Sequence, residues 1–156
     1  MPTIVKNTPT LLIPKELYKE EKIQEYWNVL HPTSQHENIG IDFTENFYLL
    51  YPKPKYEDTI HEISAMYQDF TEKFSDKENA VCVNVYENDF SLLVIKNKTI
   101  EYTGYFQYTV NEDVLYHFTN VFQHFFENNP HVVFAYQQIL PEILRLLNNY
   151  YEMKQI

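Results

Sequence analysis

Between Ala80 and Asn129 the chain reads as three consecutive strands followed by one amphipathic helix, and no other stretch restricts its fold so closely. Val81-Cys82-Val83-Asn84-Val85, Phe90-Ser91-Leu92-Leu93-Val94-Ile95 and Ile100 to Tyr108 are separated by Tyr86-Glu87-Asn88-Asp89 and by Asn97-Lys98. Branched and aromatic side chains suit a pleated, half-buried surface, and the short polar breaks between the runs are turn chemistry, so the stretch is a β-meander. From Val110 to Glu127, Val114, Phe118, Val121 and Phe125 form one stripe, with Leu115, Phe122 and Phe126 beside it. That is an amphipathic helix, closed by Asn128-Asn129-Pro130.

The flanking segments extend this pattern. Thr3 to Ile13, interrupted by Asn7 and Pro9, reads as an extended, edge-like piece, because proline cannot donate a ladder hydrogen bond. Lys15 to Leu30 has helical spacing and ends before Pro32; His31 to Asn38 is a loop. Ile39 to Phe43 and Phe47 to Tyr51 read as short strands, and Pro52-Lys53-Pro54-Lys55 stops the second. From Glu57 the positions Ile60, Ile63, Tyr67, Phe70 and Phe74 make a helix face, with Asp58 or Thr59 near its start. His131 to Tyr136 is a strand and Pro141 to Met153 a last helix. The fold class is therefore α/β, with a mixed sheet: an antiparallel three-strand meander, then a parallel strand, flanked by helices. The expected organisation is a single domain over 1–156, with a helical and extended part at 1–79 and a meander-helix-strand-helix core at 80–156.

Composition narrows what such a domain does. With 156 residues, 44% hydrophobic and 17% aromatic, the chain has the core of a globular protein rather than of a disordered one. Acidic residues number 22 against 12 basic, a formal charge of −10, and Arg145 is the only arginine. Nucleic acid and anionic membrane surfaces both demand the opposite sign, so neither is an expected partner. Cys82 is the single cysteine, which rules out an internal disulfide and a cysteine-based zinc site. No apolar run approaches a membrane span and no basic-then-apolar leader opens the chain, so the expected location is cytoplasmic.

Leu11-Leu12-Ile13-Pro14-Lys15-Glu16-Leu17-Tyr18 and the stretch Ala80 to Phe125 resemble an uncharacterised bacterial family with a degenerate actin-like ATPase fold, which is also the ribonuclease H-like fold. The resemblance implies two related lobes, of which this chain holds mostly the second. In functional actin-like ATPases a strand ends in an aspartate, followed by a glycine-rich turn and hydroxyl residues whose backbone amides cradle phosphates. Glycine is needed there because positive φ and close approach both exclude a β-carbon. On this chain the pattern puts Asn84 at the aspartate, Tyr86, Glu87 and Asn88 at the glycines, and Asp89 with Phe90 at the hydroxyls. The protein's only glycines are Gly40 and Gly104. The resemblance therefore implies a pseudo-ATPase, with no cofactor and no catalytic residue.

Other constellations are weaker. Asp113 and His117, with His124 two turns beyond His117, have the spacing of a partial metal site but lack further ligands; no metal is expected. His31, His36, His61 and His131 form no pattern with them, and Cys82 among valines reads as a buried hydrophobe. The third meander strand is an edge in this fold, and an edge can pair with another chain. Glu101, Tyr102 and Tyr105 on it are interaction candidates, as are Tyr48, Tyr51 and Tyr56 around Pro52 and Pro54. The expected function is a non-catalytic protein-interaction module, binding a partner or a second copy through the sheet edge. Its competitors are a nucleotide enzyme completed in trans and an acidic decoy for a basic protein surface.

Overall fold

The computed structural model describes residues 1–30, 38–55 and 57–156 and divides into two compact units, 1–65 and 66–156, each taken by itself.

In the first unit β1 (Thr3–Val5) pairs in parallel with β5 (Thr59–His61), while β2 (Leu11–Pro14), β4 (Phe47–Pro52) and β3 (Ile39–Thr44) form an antiparallel sheet in that order. Leu11, Ile13, Leu50 and the fully buried Trp27 make its core. The expected helix from Lys15 is half as long: α1 covers Ile23–Leu30, preceded by single 3₁₀ turns at Lys15–Leu17 and Glu20–Lys22. Tyr18 and Lys19 are extended between those turns, and the Tyr18 ring stacks on Tyr48 at 3.7 Å, so packing overrides the helical spacing here. The helix expected from Glu57 likewise begins later. Thr59–His61 pairs with β1 first, and α2 covers Glu62–Lys73.

The second unit is built on a five-stranded sheet. β6 (Ala80–Val85), β7 (Asp89–Lys96) and β8 (Thr99–Gln107) are the antiparallel meander; β9 (Val133–Tyr136) and β10 (Met153–Gln155) continue in parallel beyond β6, giving the order β10-β9-β6-β7-β8. The β7–β8 turn places both Asn97 (φ 53°) and Lys98 (φ 66°) in the left-handed region, as a two-residue hairpin of matching twist requires. β6 is buried along its whole length, and β7 except at its ends, which explains their unbroken apolar runs: both faces are covered. On one face α3 (Asn111–Phe126) and α4 (Pro141–Asn148) pack Val114, Phe118, Ile143 and Leu147 against Val81, Val83, Phe90, Leu92 and Val94. On the other, Tyr67 of α2 donates to the Lys98 carbonyl and Gln137 to the Asp69 carboxylate.

The last helix is shorter than its expected end at Met153. Asn148 and Asn149 close it, the Asn148 side chain accepts the Met153 N–H at 3.1 Å, and the released chain becomes β10 beside β9. Among the described residues no helix is long and apolar enough to cross a membrane.

Candidate functional site

Asn84, the residue that the resemblance sets against the aspartate of functional actin-like ATPases, is nearly fully buried at the end of β6. Its Oδ1 accepts the backbone N–H groups of Gln137 (3.2 Å) and Gln138 (3.1 Å), and the Val85 N–H donates to the Gln138 carbonyl at 2.8 Å. Nδ2 faces the Gln137 Oε1 at 3.4 Å. Asparagine therefore clamps the segment after β9 to the end of β6. A neutral amide suits this place because it donates and accepts at once without burying a charge.

The hairpin tip beyond it is closed by the Tyr86 N–H donating to the Asp89 carbonyl at 2.8 Å. None of Tyr86, Glu87, Asn88 and Asp89 has positive φ, so the tip forms no concave nest of amides. Glu87 and Asn88 are exposed. Tyr108 leans over the tip, its hydroxyl donating to the Tyr86 carbonyl and its N–H to the Asn88 carbonyl at 3.1 Å. Burial raises the Tyr108 hydroxyl's pKa, and the carboxylates of Glu142, Asp89 and Glu87 raise it further. The place is thus acidic.

The interaction candidates separate. Glu101 is exposed; the register shift between Val94 and Ile95 leaves it as an extra residue in β8, a bulge that blunts that end of the edge. Tyr102 packs on the core face with its ring 5.7 Å from Phe125. Tyr105 is half-buried, and its hydroxyl donates to Asp89 at 2.9 Å, so it braces the hairpin rather than standing clear of the sheet. Tyr48 stacks on the Tyr18 ring and also contacts the Phe43 ring. Tyr51 is fully buried and spends its hydroxyl inside the chain, which removes it as a surface for partners. Tyr56, like His31 and His36, lies outside the described residues.

Asp113 accepts the N–H groups of Thr109 (3.1 Å) and Val110 (3.3 Å) and so caps α3, while His117 stacks on Phe106 at 4.3 Å. Among the described residues no three His, Cys, Asp or Glu side chains gather as a metal ion needs. Cys82 is fully buried, and burial pushes its thiol pKa up, away from a reactive thiolate.

One polar constellation escaped the sequence reading. Asp42 Oδ1 accepts the Tyr51 hydroxyl at 2.8 Å, and its Oδ2 accepts the His61 N–H (2.8 Å) and the Ser64 hydroxyl (2.6 Å). His61 is buried; its Nδ1 accepts the Ile63 N–H at 3.1 Å, which caps α2, and its Nε2 meets the Thr8 hydroxyl at 3.0 Å. An accepting Nδ1 requires the neutral ring, and burial lowers the pKa to about 4. Buried Glu62 accepts the Asn7 N–H at 2.9 Å. These contacts tie β3 to β4 and β5, β3 and β5 to the start of α2, and the Asn7–Thr8 segment to β5 and α2, so the groups satisfy one another.

A crystal structure of a protein from Bacteroides thetaiotaomicron VPI-5482, described as having an actin-like ATPase fold and unknown function, superposes with a TM-score of 0.79 at 13% identity. The match covers 98% of this chain and 66% of that one, so this chain spans just under two thirds of its neighbour's length. At that identity the likeness shows the fold alone: mixed α/β, of the actin-like ATPase type. No curated protein sequence matches the chain. Residues 41–151 match the family described as Protein of unknown function (DUF3822), and the chain belongs to that family.

Proposed function

We propose that this chain is a non-catalytic protein-interaction module, an actin-like fold whose phosphate-binding hairpin has been turned to structural use. The observation that carries this reading is Asn84: its carboxamide oxygen is occupied by the Gln137 and Gln138 N–H groups, and the tip beyond it presents Glu87 and Asp89. A nucleotide phosphate entering there meets like charge, no glycine amide and no lysine or arginine within Ala80 to Ile95. The interaction half rests on β8, the last strand of its sheet.

Thermal unfolding with and without Mg²⁺-ATP tests the first half. A ligand at a hundred times its dissociation constant stabilises by about 2.7 kcal/mol, and each kcal/mol moves the midpoint of a chain this size by roughly 2 to 4 °C. No shift at millimolar Mg²⁺-ATP is the expected result. A shift of that size, abolished by Asn84→Ala, would replace this reading with a nucleotide enzyme.

A further inference from the structure

β3 is the last strand of the three-stranded sheet in the first unit, and the direction of its main-chain groups is fixed by two bonds beyond its pairing with β4. The Lys53 N–H donates to the Asn38 carbonyl at 3.1 Å, and on the other side of β4 the Lys15 N–H donates to the Asn46 carbonyl at 2.9 Å. Antiparallel pairs alternate between bonded and non-bonded, so Gly40, Asp42 and Thr44 bond to Tyr51, Leu49 and Phe47. Ile39, Ile41 and Phe43 therefore turn their main-chain groups away from β4. Among the described residues no other strand pairs with them.

The same residues leave an apolar surface bare. Their side chains share a face with Leu11, Ile13, Tyr48 and Leu50, on which Trp27 of α1 packs. Toward the edge that cover runs out: Ile41 is 39% exposed and Phe43 54%. Edges are ordinarily guarded by lysine, proline or a bulge, and Ile39 to Phe43 has none of these. Its one charge, Asp42, points to the opposite face and is taken up within the unit by Tyr51, His61 and Ser64.

We propose that β3 pairs antiparallel with β3 of a second copy, about a two-fold axis at Ile41. Centred there, Ile39 meets Phe43, Ile41 meets Ile41 and Phe43 meets Ile39, each as a bonded pair, and the apolar side chains of both copies close over the bare face. Gly40 then lies opposite Asp42. Centring on Asp42 instead would set two carboxylates directly opposite, and centring on Gly40 would carry Phe43 past the end of the partner's strand. A foreign strand would have to bring this pattern, whereas a second copy has it by symmetry. Each copy carries a net charge of −10, so main-chain bonds and apolar cover act against a general repulsion, and the contact tightens as salt screens it. The proposal goes beyond the interaction-module reading, which rests on β8.

Sedimentation of the full chain from about 10 µM to about 1 mM, at about 0.05 M and 0.5 M salt, tests it. A concentration-dependent dimer is expected, several-fold tighter at the higher salt, with hydrogen exchange slowed at Ile41 and Phe43. Ile41→Lys sets two lysines opposite each other at the axis and is expected to weaken association at least about ten-fold, and Ile41→Glu likewise. An equimolar mixture of the two variants is expected to restore it, because residue 41 then meets the opposite charge; variants that had merely failed to fold could not rescue each other. A monomer at about 1 mM would overturn the proposal. So would a dimer that loosens with salt, slowed exchange centred on β8, or a mixture no tighter than either variant alone. Failure of the module reading shows separately, as a Mg²⁺-ATP shift in the unfolding experiment, whatever the sedimentation gives.

Discussion

The protein's two glycines occupy the same kind of place in the two units and are treated differently there. Gly40 lies in β3 and Gly104 in β8, each the last strand of its sheet; neither has positive φ, and each lies beneath aromatic rings. Over Gly40 the ring is its cross-strand partner Tyr51, whose carbons come to 2.4 and 2.5 Å from where a β-carbon would be. That ring is fully buried and fixed by hydrogen bonds to Asp42 and Thr59. Over Gly104 the covering atoms are the Tyr102 hydroxyl at 2.6 Å and the Phe106 ring at 2.7 Å, from residues two along the same strand, both half-buried at the rim of an open groove between β8 and α3. Covering a strand glycine with an aromatic ring is a recurrent way to stabilise an edge. In the first unit the cover is locked into a core; in the second it borders open space and has room to turn.

Removing what locks Tyr51 breaks the comparison most severely. Asp42→Ala leaves the Tyr51 hydroxyl, the His61 N–H and the Ser64 hydroxyl without their shared charged acceptor. A hydrogen bond to a charged group contributes about 1.5 to 3 kcal/mol, and buried donors left unmet add a desolvation cost, so a loss of about 4 kcal/mol is expected. Trp27, the only tryptophan and fully buried in this unit, reports it through the denaturant midpoint of its fluorescence. A loss below about 1 kcal/mol would mean that Asp42 organises nothing.

His61 belongs to the same lock and carries its pH dependence. In the unfolded chain the ring takes up a proton below its ordinary pKa of 6.5, whereas the buried ring resists until about 4. Between those values the unfolded state binds more protons, so this contribution is full above 6.5 and is lost as pH falls through the window. A shift of this size corresponds to about 3 kcal/mol. Denaturation of the unaltered chain and of His61→Gln from pH 7 to 4 isolates it: the unaltered chain should lose more stability by about that amount. Parallel curves would show that the ring protonates without disturbing the α2 cap.

Gly40→Ala tests the ring directly. Its β-carbon would fall inside the Tyr51 ring, and a ring held by three partners in a filled core cannot swing clear. Overpacking of this kind costs about 2 to 3 kcal/mol, reduced slightly by the stiffer unfolded chain. Trp27 fluorescence again gives the value, and a neutral outcome would mean the ring is as free as those over Gly104.

What could be read in advance follows from how local each feature is. The meander was legible because β6 and β7 are continuous apolar runs and Asn97-Lys98 is a turn with its own chemistry; the β8 edge followed from strand order. β5 and β10 were missed because three-residue strands owe their state to a partner, Thr3–Val5 for one and Phe134 to Tyr136 for the other. The Asp42 lock was illegible for the same reason: Tyr51, His61 and Ser64 reach it from other elements, and a single aspartate in a short strand carries no period. The resemblance drew attention to Asn84, but its bonds to Gln137 and Gln138 required the fold.

The smallest expected effect is the most informative about the second unit. In Gly104→Ala the new β-carbon meets only the outer atoms of Tyr102 and Phe106, and both rings border the groove, so a small rotation relieves the contact. Alanine also orders the unfolded chain, which offsets part of the strain, and a net cost under about 1 kcal/mol is expected. The relief has a spectroscopic consequence: Phe106 cannot turn without changing its 4.3 Å stack on His117, so the His117 ring protons should shift while Val83 and Leu92 amide exchange stays unchanged. A cost equal to that of Gly40→Ala would show that the rim is as rigid as the core, with no room for either ring to turn.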